Sequence, residues 1–128
     1  MKQYVQTRAQ SFRNAFSGWW FVVRTQRNAW IHAVFSVTTL AVCFWLRLSS
    51  IEWALIIIAI ALVWTAEFLN TALEAVVDLA SPEQHHLAKI GKDVGAAAVL
   101  IAAFSAFLIG LLIIGPPLWM KIQLLIFS

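Results

Sequence analysis

An apolar run from Trp53 to Ala66 leads directly into a segment that carries three carboxylates, Glu67, Glu74 and Asp78. A run of this kind is typical of a membrane span, where only helices and closed barrels satisfy every backbone polar group. Composition agrees, because 62% of the 128 residues are hydrophobic and only 12% are charged, against roughly 25% charged residues in soluble domains. The sequence therefore predicts an all-α membrane protein with a single domain over residues 1–128.

Three stretches qualify as transmembrane helices by their length and polarity. They cover about residues 31–46, 53–77 and 94–114. Residues 8–27 are predicted to form an amphipathic helix in the membrane interface, because aromatic residues recur there at helical spacing among basic ones. Pro116 and Pro117 are predicted to end the third span and to leave an apolar tail over residues 115–128.

The basic residues predict how these helices are oriented. Seven of the nine lie before the first span or between the second and third, namely Lys2, Arg8, Arg13, Arg24, Arg27, Lys89 and Lys92. Only Arg47 and Lys121 fall on the opposite side. Because Lys and Arg accumulate in cytosolic loops, the N-terminus and the acidic end of the second span are predicted to face the cytosol. Because the basic residues that give the net charge of +3 flank the membrane spans, nucleic acid is not expected as a partner.

The first fifteen residues are polar and basic, which predicts no cleaved signal peptide.

Five polar residues share one face of the second predicted span, and we call them the acidic stripe. At about 100° per residue, Asn70, Thr71, Glu74 and Asp78 fall within about 60° of Glu67. A carboxylate near the centre of a bilayer costs about 2.5–3.5 kcal/mol, so the stripe is expected to have a function. Asn and Thr also serve as polar contacts between membrane helices, but carboxylates suit that role poorly. A proton or cation pathway is the alternative, although it predicts acidic residues spread across the depth of the membrane.

The segment between the second and third spans is predicted to bring further charged groups to the acidic stripe. Glu83, His85, Lys92 and Asp93 lie in or just after it. Phosphoryl transfer needs carboxylates that hold Mg²⁺, lysines that neutralise phosphate charge and a base for the attacking hydroxyl. No Walker A loop is present. His85 and the adjacent His86 are equally compatible with solvated loop residues, and His32 is predicted to be an interfacial residue rather than a ligand.

These motifs resemble those of the prokaryotic diacylglycerol kinase family, which includes the undecaprenol kinases. They read Glu67-x-x-Asn70-Thr71-Ala72-x-Glu74-Ala75-Val76-Val77-Asp78, then Pro82-Glu83-x-His85 and Ala88-Lys89-Ile90-x-Lys92-Asp93. The resemblance extends from Ser11 to Gly110. It implies a homotrimer of three-span subunits with an interfacial N-terminal helix, located in the bacterial inner membrane. It also implies active sites that neighbouring subunits share near the cytosolic surface.

The resemblance further implies an activity and a set of residue roles. The activity is ATP- and Mg²⁺-dependent transfer of the γ-phosphate to the hydroxyl of a membrane lipid, either diacylglycerol or undecaprenol. Glu67 resembles the general base that also meets the lipid hydroxyl, Asn70 a substrate-positioning residue and Glu74 the metal ligand. The positions that match ATP contacts are Glu83, His85, Lys92 and Asp93, with Asp78 as an acid beside the site.

The chain departs from the family pattern at one corner of the implied site. The family usually has a Glu that joins the equivalent of Glu74 on the metal and approaches the ATP, and here that position is Gln26. An amide oxygen can coordinate Mg²⁺ but brings no charge. Trp30 stands where relatives often carry Arg, and the tail after Pro116 is a further departure. A non-enzymatic membrane protein, either a degenerate kinase or a small oligomeric cation-conducting subunit, therefore stays open as the alternative function.

Overall fold

A computed structural model describes residues 7–81 and 85–127, and four helices account for nearly all of them. In chain order they are α1 (Arg8–Thr25), α2 (Arg27–Leu46), α3 (Ser50–Ala80) and α4 (His86–Phe127). Helices α2, α3 and α4 are each long and apolar enough to cross a membrane, and the described ranges contain no strand. The predicted fold class, an all-α membrane protein with three such helices after an N-terminal helix, is confirmed.

Local sequence signals fix where the helices begin and turn. Thr7 and Gln10 form a capping box at the start of α1, and Ser49 and Glu52 form another at the start of α3, where the Ser49 backbone N–H donates to Glu52 at 2.7 Å. A single extended residue, Gln26, separates α1 from α2. Helix α2 ends at Leu46, and Arg47 directly after it adopts the left-handed conformation (φ 57°) that commonly follows a helix.

Every helix that can span the membrane is longer than its predicted apolar segment. Helix α2 begins at Arg27 rather than at about residue 31, α3 extends three residues past the prediction at each end, and α4 begins at His86. The predictions followed hydropathy, which detects only the part of a helix that is apolar enough for lipid. Backbone hydrogen bonding does not stop at that boundary, so each helix continues into its polar flanks.

Helices α3 and α4 pack most closely, and small residues permit this approach. The buried positions on α3 recur at intervals of three and four residues, namely Ile56, Ala59, Val63, Glu67 and Thr71. Their counterparts on α4 are Gly95, Val99 and Ala102. Small side chains let the backbones of membrane helices come close enough for van der Waals contact. The acidic stripe on α3 is therefore held against the first turns of α4.

The prediction that Pro116 and Pro117 end the third span, with a separate tail after them, is wrong. Helix α4 contains both prolines and continues to Phe127. A proline removes one backbone donor, but membrane helices tolerate it where neighbouring groups compensate. Here Lys121 holds the continuation in place, since its Nζ donates to the Trp45 carbonyl at the end of α2 at 2.8 Å. The same ammonium lies 4.3 Å from the centroid of the Trp45 ring.

Replacing Lys121 with Met should lower the free energy of unfolding by about 1 kcal/mol. The change keeps the aliphatic stem but removes one charge-assisted hydrogen bond and one cation–π contact. Thermal unfolding in detergent micelles measures it, with Lys89→Met as the control because Lys89 is exposed at the other end of α4. Equal shifts in the two variants would show that Lys121 does not anchor α4 to α2.

Candidate active site

The acidic stripe runs from the interior of the bundle to its end. Glu67 is 1% exposed and Thr71 is 5% exposed, Asn70 and Glu74 are partly buried, and the side chain of Asp78 is 64% exposed. The Thr71 hydroxyl donates to the Glu67 backbone carbonyl at 2.9 Å, which is a local helix contact rather than a sign of chemistry. The most costly member to bury is therefore the carboxylate of Glu67.

Asn70 and Glu74 form the middle of the stripe and are held by α4. The Asn70 Nδ2 donates to Glu74 Oε1 at 3.0 Å, one helical turn away. The Asn70 Oδ1 is buried without a hydrogen-bond partner and lies directly against Gly95, where an added Cβ would overlap with it. Gly95 thus leaves the space in which Asn70 can orient the Glu74 carboxylate.

The outer end of the stripe contacts the start of α4 through an ion pair. Lys92 Nζ lies 2.5 Å from Asp78 Oδ1, and both side chains are partly open to solvent. An exposed pair of this kind adds little stability, at most about 1 kcal/mol, so its main effect is to hold a lysine beside the carboxylates. Asp93, the next residue along α4, is exposed at the same end.

Other predicted site residues are not joined to the stripe within one chain. His85 is exposed, and its Nδ1 accepts a hydrogen bond from the Leu87 N–H at 3.2 Å, so it caps the start of α4. Gln26 lies at the α1–α2 junction, and Trp30 is 61% exposed. Within residues 7–81 and 85–127, no hydrogen bond or ion pair links Gln26 or His85 to the acidic stripe. Glu83 lies outside the described residues.

His32 on α2 is the neighbour of Glu67 that sequence reasoning missed. Its Nε2 lies 3.7 Å from Glu67 Oε2, and the two side chains are 16% and 2% exposed. The prediction treated His32 as an isolated interfacial residue. A signal was present, since His32 and Ser36 place two polar groups four residues apart in an apolar helix, which puts them on one face.

An apolar groove of about 520 Å³ begins beside this pair. It lies between α2, α3 and α4, and its lining extends from His32 and Val63 to Phe107, Gly110 and Leu118. The lining is almost entirely hydrophobic, with His32, Ser36 and Thr39 as the polar exceptions. The apolar lining suits a hydrocarbon chain, and His32 at one end of the groove is the lining residue that contacts Glu67.

Comparison with known proteins shows which family this chain resembles. Residues 13–114 match the sequence profile described as prokaryotic diacylglycerol kinase. The chain belongs to the prokaryotic diacylglycerol kinase family. It is accordingly a lipid kinase with helices that can cross a membrane several times.

Individual relatives of this kinase carry two different names. This chain is 42% identical over 109 residues to the undecaprenol kinase of Bacillus subtilis. The alignment covers 85% of this chain and 89% of the relative. The chain is 43% identical over 109 residues to the diacylglycerol kinase of Synechocystis, covering 84% of this chain and 62% of the relative. With the diacylglycerol kinase of Escherichia coli K12 it shares 39% identity over 87 residues, covering 62% of this chain and 71% of the relative.

The family match contains every predicted site residue but ends before the prolines of α4. Its boundaries, residues 13–114, include Gln26 at one end and the whole acidic stripe. The helical continuation from Pro116 to Phe127 lies beyond it. In the contact between Lys121 and Trp45, Trp45 lies within the matched residues and Lys121 lies beyond them.

The described carboxylates do not form a complete metal site by themselves. In the described parts of the chain, no group of three or more His, Cys, Asp and Glu side chains is placed to hold a metal. Mg²⁺ does not need such a group, because one or two carboxylates commonly share it with substrate phosphates and water. Glu74 could supply one such carboxylate, with its Oε1 held by the Asn70 amide.

Replacing Gly95 with Ala should lower the free energy of unfolding by about 1–3 kcal/mol, as overpacking of a close helix contact does. The new methyl group would overlap Asn70 Oδ1 and push the amide away from Glu74. Gly110→Ala is the matched control on the same helix, because nothing lies within 4 Å of a Cβ there. Unfolding in mixed micelles measures both variants, and equal stabilities would contradict the close approach of α4 to Asn70.

Proposed function

We propose that this lipid kinase transfers the γ-phosphate of ATP, in the presence of Mg²⁺, to the hydroxyl of a membrane lipid, diacylglycerol or undecaprenol. The observation that carries the proposal is a buried carboxylate, Glu67, beside the head of an apolar groove. A lipid alcohol has the complementary form, with a long hydrocarbon part and one hydroxyl at its end.

The groove supports the choice of a lipid alcohol as the acceptor. A chain that lies between α2, α3 and α4 would leave its hydroxyl near His32, whose ring contacts Glu67. A general base must reach the proton that it removes, so we expect the hydroxyl to approach Glu67 from the side of His32, which lines the groove. The lipid hydroxyl attacks the γ-phosphorus, its proton passes to Glu67, and ADP leaves with the oxygen that had bridged the two phosphates.

The outer part of the acidic stripe is proposed to bind the nucleotide. Glu74 would hold Mg²⁺, which neutralises charge on the β- and γ-phosphates when it is bound. Lys92 already lies among the carboxylates, and we expect it to exchange its partner Asp78 for phosphate oxygens. The proposed ATP contacts also include Glu83, His85, Asp93 and Gln26. Asn70 would orient Glu74 through the hydrogen bond between them.

A homotrimer with shared active sites would complete this arrangement. Gln26 and His85 make no hydrogen bond or ion pair with the stripe in one chain, as far as residues 7–81 and 85–127 extend, so a neighbouring subunit is their expected place of contact. Large apolar residues are exposed along all three long helices, among them Phe35, Leu69 and Phe104, and both lipid and further subunits would cover them. We place the enzyme in the bacterial inner membrane with the acidic end in the cytosol, where ATP is present. Seven of its nine Lys and Arg residues support this orientation.

A phosphorylation assay tests the proposal and separates its two lipids. Purified protein is given γ-labelled ATP, Mg²⁺ and vesicles that contain either diacylglycerol or undecaprenol, and the labelled lipid is identified. Labelled phosphatidic acid or undecaprenyl phosphate would support a lipid kinase and name its acceptor. Absence of both products would contradict the proposal and favour the non-enzymatic alternative.

In the same assay, Glu67→Gln should lower kcat by about 10²-fold or more, which is the usual contribution of a general base. The amide keeps the shape of the side chain but cannot accept the proton. Glu52→Gln is the control, because Glu52 lies at the other end of α3 and Gln preserves its capping box. A fully active Glu67→Gln enzyme would show that another group takes the proton.

Gln26→Glu should lower the Mg²⁺ concentration for half-maximal activity by roughly tenfold, because the charge of the ligands sets the affinity for such cations. Gln10→Glu is the matched control, since it adds the same charge to α1 within the capping box. The measurement is a Mg²⁺ titration of initial rates for both variants. Unchanged Mg²⁺ dependence in Gln26→Glu would place residue 26 outside the metal's surroundings.

A further inference from the structure

The contact between His32 and Glu67 is unusual because neither of the two facing atoms has a hydrogen-bond partner among the described residues. His32 Nε2 and Glu67 Oε2 are both buried, and neither forms a hydrogen bond with the described residues. They face each other at 3.7 Å, slightly beyond the hydrogen-bond range of about 2.7–3.2 Å. Buried polar groups are nearly always satisfied, so a small movement of either side chain that closes this gap would be favourable.

Aromatic packing determines where the His32 ring lies. The ring meets Trp64 edge to face, with centroids 6.5 Å apart and an interplanar angle of 65°. Trp64 is itself fixed, because its Nε1 donates to Ser36 Oγ at 3.1 Å and its ring packs on Phe68 at 5.9 Å. Ser36 lies one turn after His32 on α2, and Trp64 lies one turn before Glu67 on α3. Two adjacent turns on each helix therefore hold the imidazole in front of the carboxylate.

We propose that His32 is a positioning residue for Glu67, an inference that rests on the function proposed above. The Nε2–H of His32 donates to Glu67 Oε2 once the lipid is bound, and this leaves Oε1 directed at the lipid hydroxyl. Hydrogen bonds in an active site are often long without substrate and shorten in the complex. The proton of the lipid hydroxyl passes to Glu67 as the new O–P bond forms and the bond to ADP breaks. His32 keeps its own proton throughout.

The position of the groove explains why Glu67 needs such a partner. His32 lines the groove, so it lies between the hydrocarbon part of the lipid and the carboxylate. A carboxylate has two equivalent oxygens, and without a donor on one of them it is free to rotate away from the hydroxyl. A donor whose position is fixed by Trp64 removes that freedom.

Two substitutions of His32 separate positioning from packing. His32→Leu keeps an apolar side chain of similar size and removes the donor, and His32→Gln restores an N–H at a similar reach. We expect kcat of the Leu variant to fall by about 10- to 100-fold, the effect of one hydrogen bond to a charged group. The KM values for lipid and ATP should change little, and the Gln variant should recover most of the activity. A packing role predicts the reverse order, because Leu fits an apolar helix interface better than Gln.

A spectroscopic measurement tests the contact without relying on activity. In the full-length protein with ¹⁵N-labelled histidine, the His32 signals are identified by their absence in His32→Leu. Glu67→Gln should shift them, and Glu74→Gln, about two turns further along the same helix, should leave them in place. Unshifted His32 signals in Glu67→Gln would overturn the inference.

The two experiments distinguish this inference from the proposed function. An active wild-type enzyme whose His32→Leu variant keeps its kcat would overturn the positioning role alone. A wild-type chain that phosphorylates neither lipid would overturn the proposed function. It would also overturn the positioning role of His32 toward Glu67, even if the His32 signals respond to Glu67→Gln.

Discussion

The burial of the Glu67 carboxylate among apolar helices is the constraint on which the site depends. An ionised carboxylate loses the stabilisation of water there and must gain it from a partner, a ligand or a proton. The neighbouring groups are arranged around this cost. His32 faces the carboxylate from α2, and the rest of the stripe leads outward on α3 to the exposed Asp78. A carboxylate kept without a full set of hydrogen bonds is available to a substrate hydroxyl.

Close packing of α3 on α4 holds the middle and the outer end of this stripe in place. Gly95 leaves room for Asn70, and Asn70 in turn orients Glu74. One turn earlier on α4, Lys92 reaches Asp78. The interior end of the stripe contacts His32, which lines the apolar groove, while its outer end presents Asp78 and Lys92 to water. This polarity of α3 supports the proposed reaction between a membrane lipid and a soluble phosphate donor.

Much of the fold was predictable because membrane helices follow simple rules. Hydropathy located all three spans, and the capping pairs Thr7–Gln10 and Ser49–Glu52 could be read from the sequence. The end of α4 was not predictable in this way. Proline usually interrupts a helix, but the contact of Lys121 with Trp45, 76 residues earlier, supports the continuation. Local sequence rules contain no information about such a distant partner.

The site was predictable to the extent that its chemistry lies within one helix. The periodicity of α3 alone put Glu67, Asn70, Thr71, Glu74 and Asp78 on a common face, because helical geometry fixes the relative directions of residues three and four apart. Sequence by itself thus determined the fold class and the acidic stripe. Only the tertiary structure decided which end of the stripe is buried, that Lys92 pairs with Asp78, and that His32 faces Glu67. Those contacts join different helices, and the crossing of helices is set by packing at Gly95 and Trp64 rather than by any local pattern.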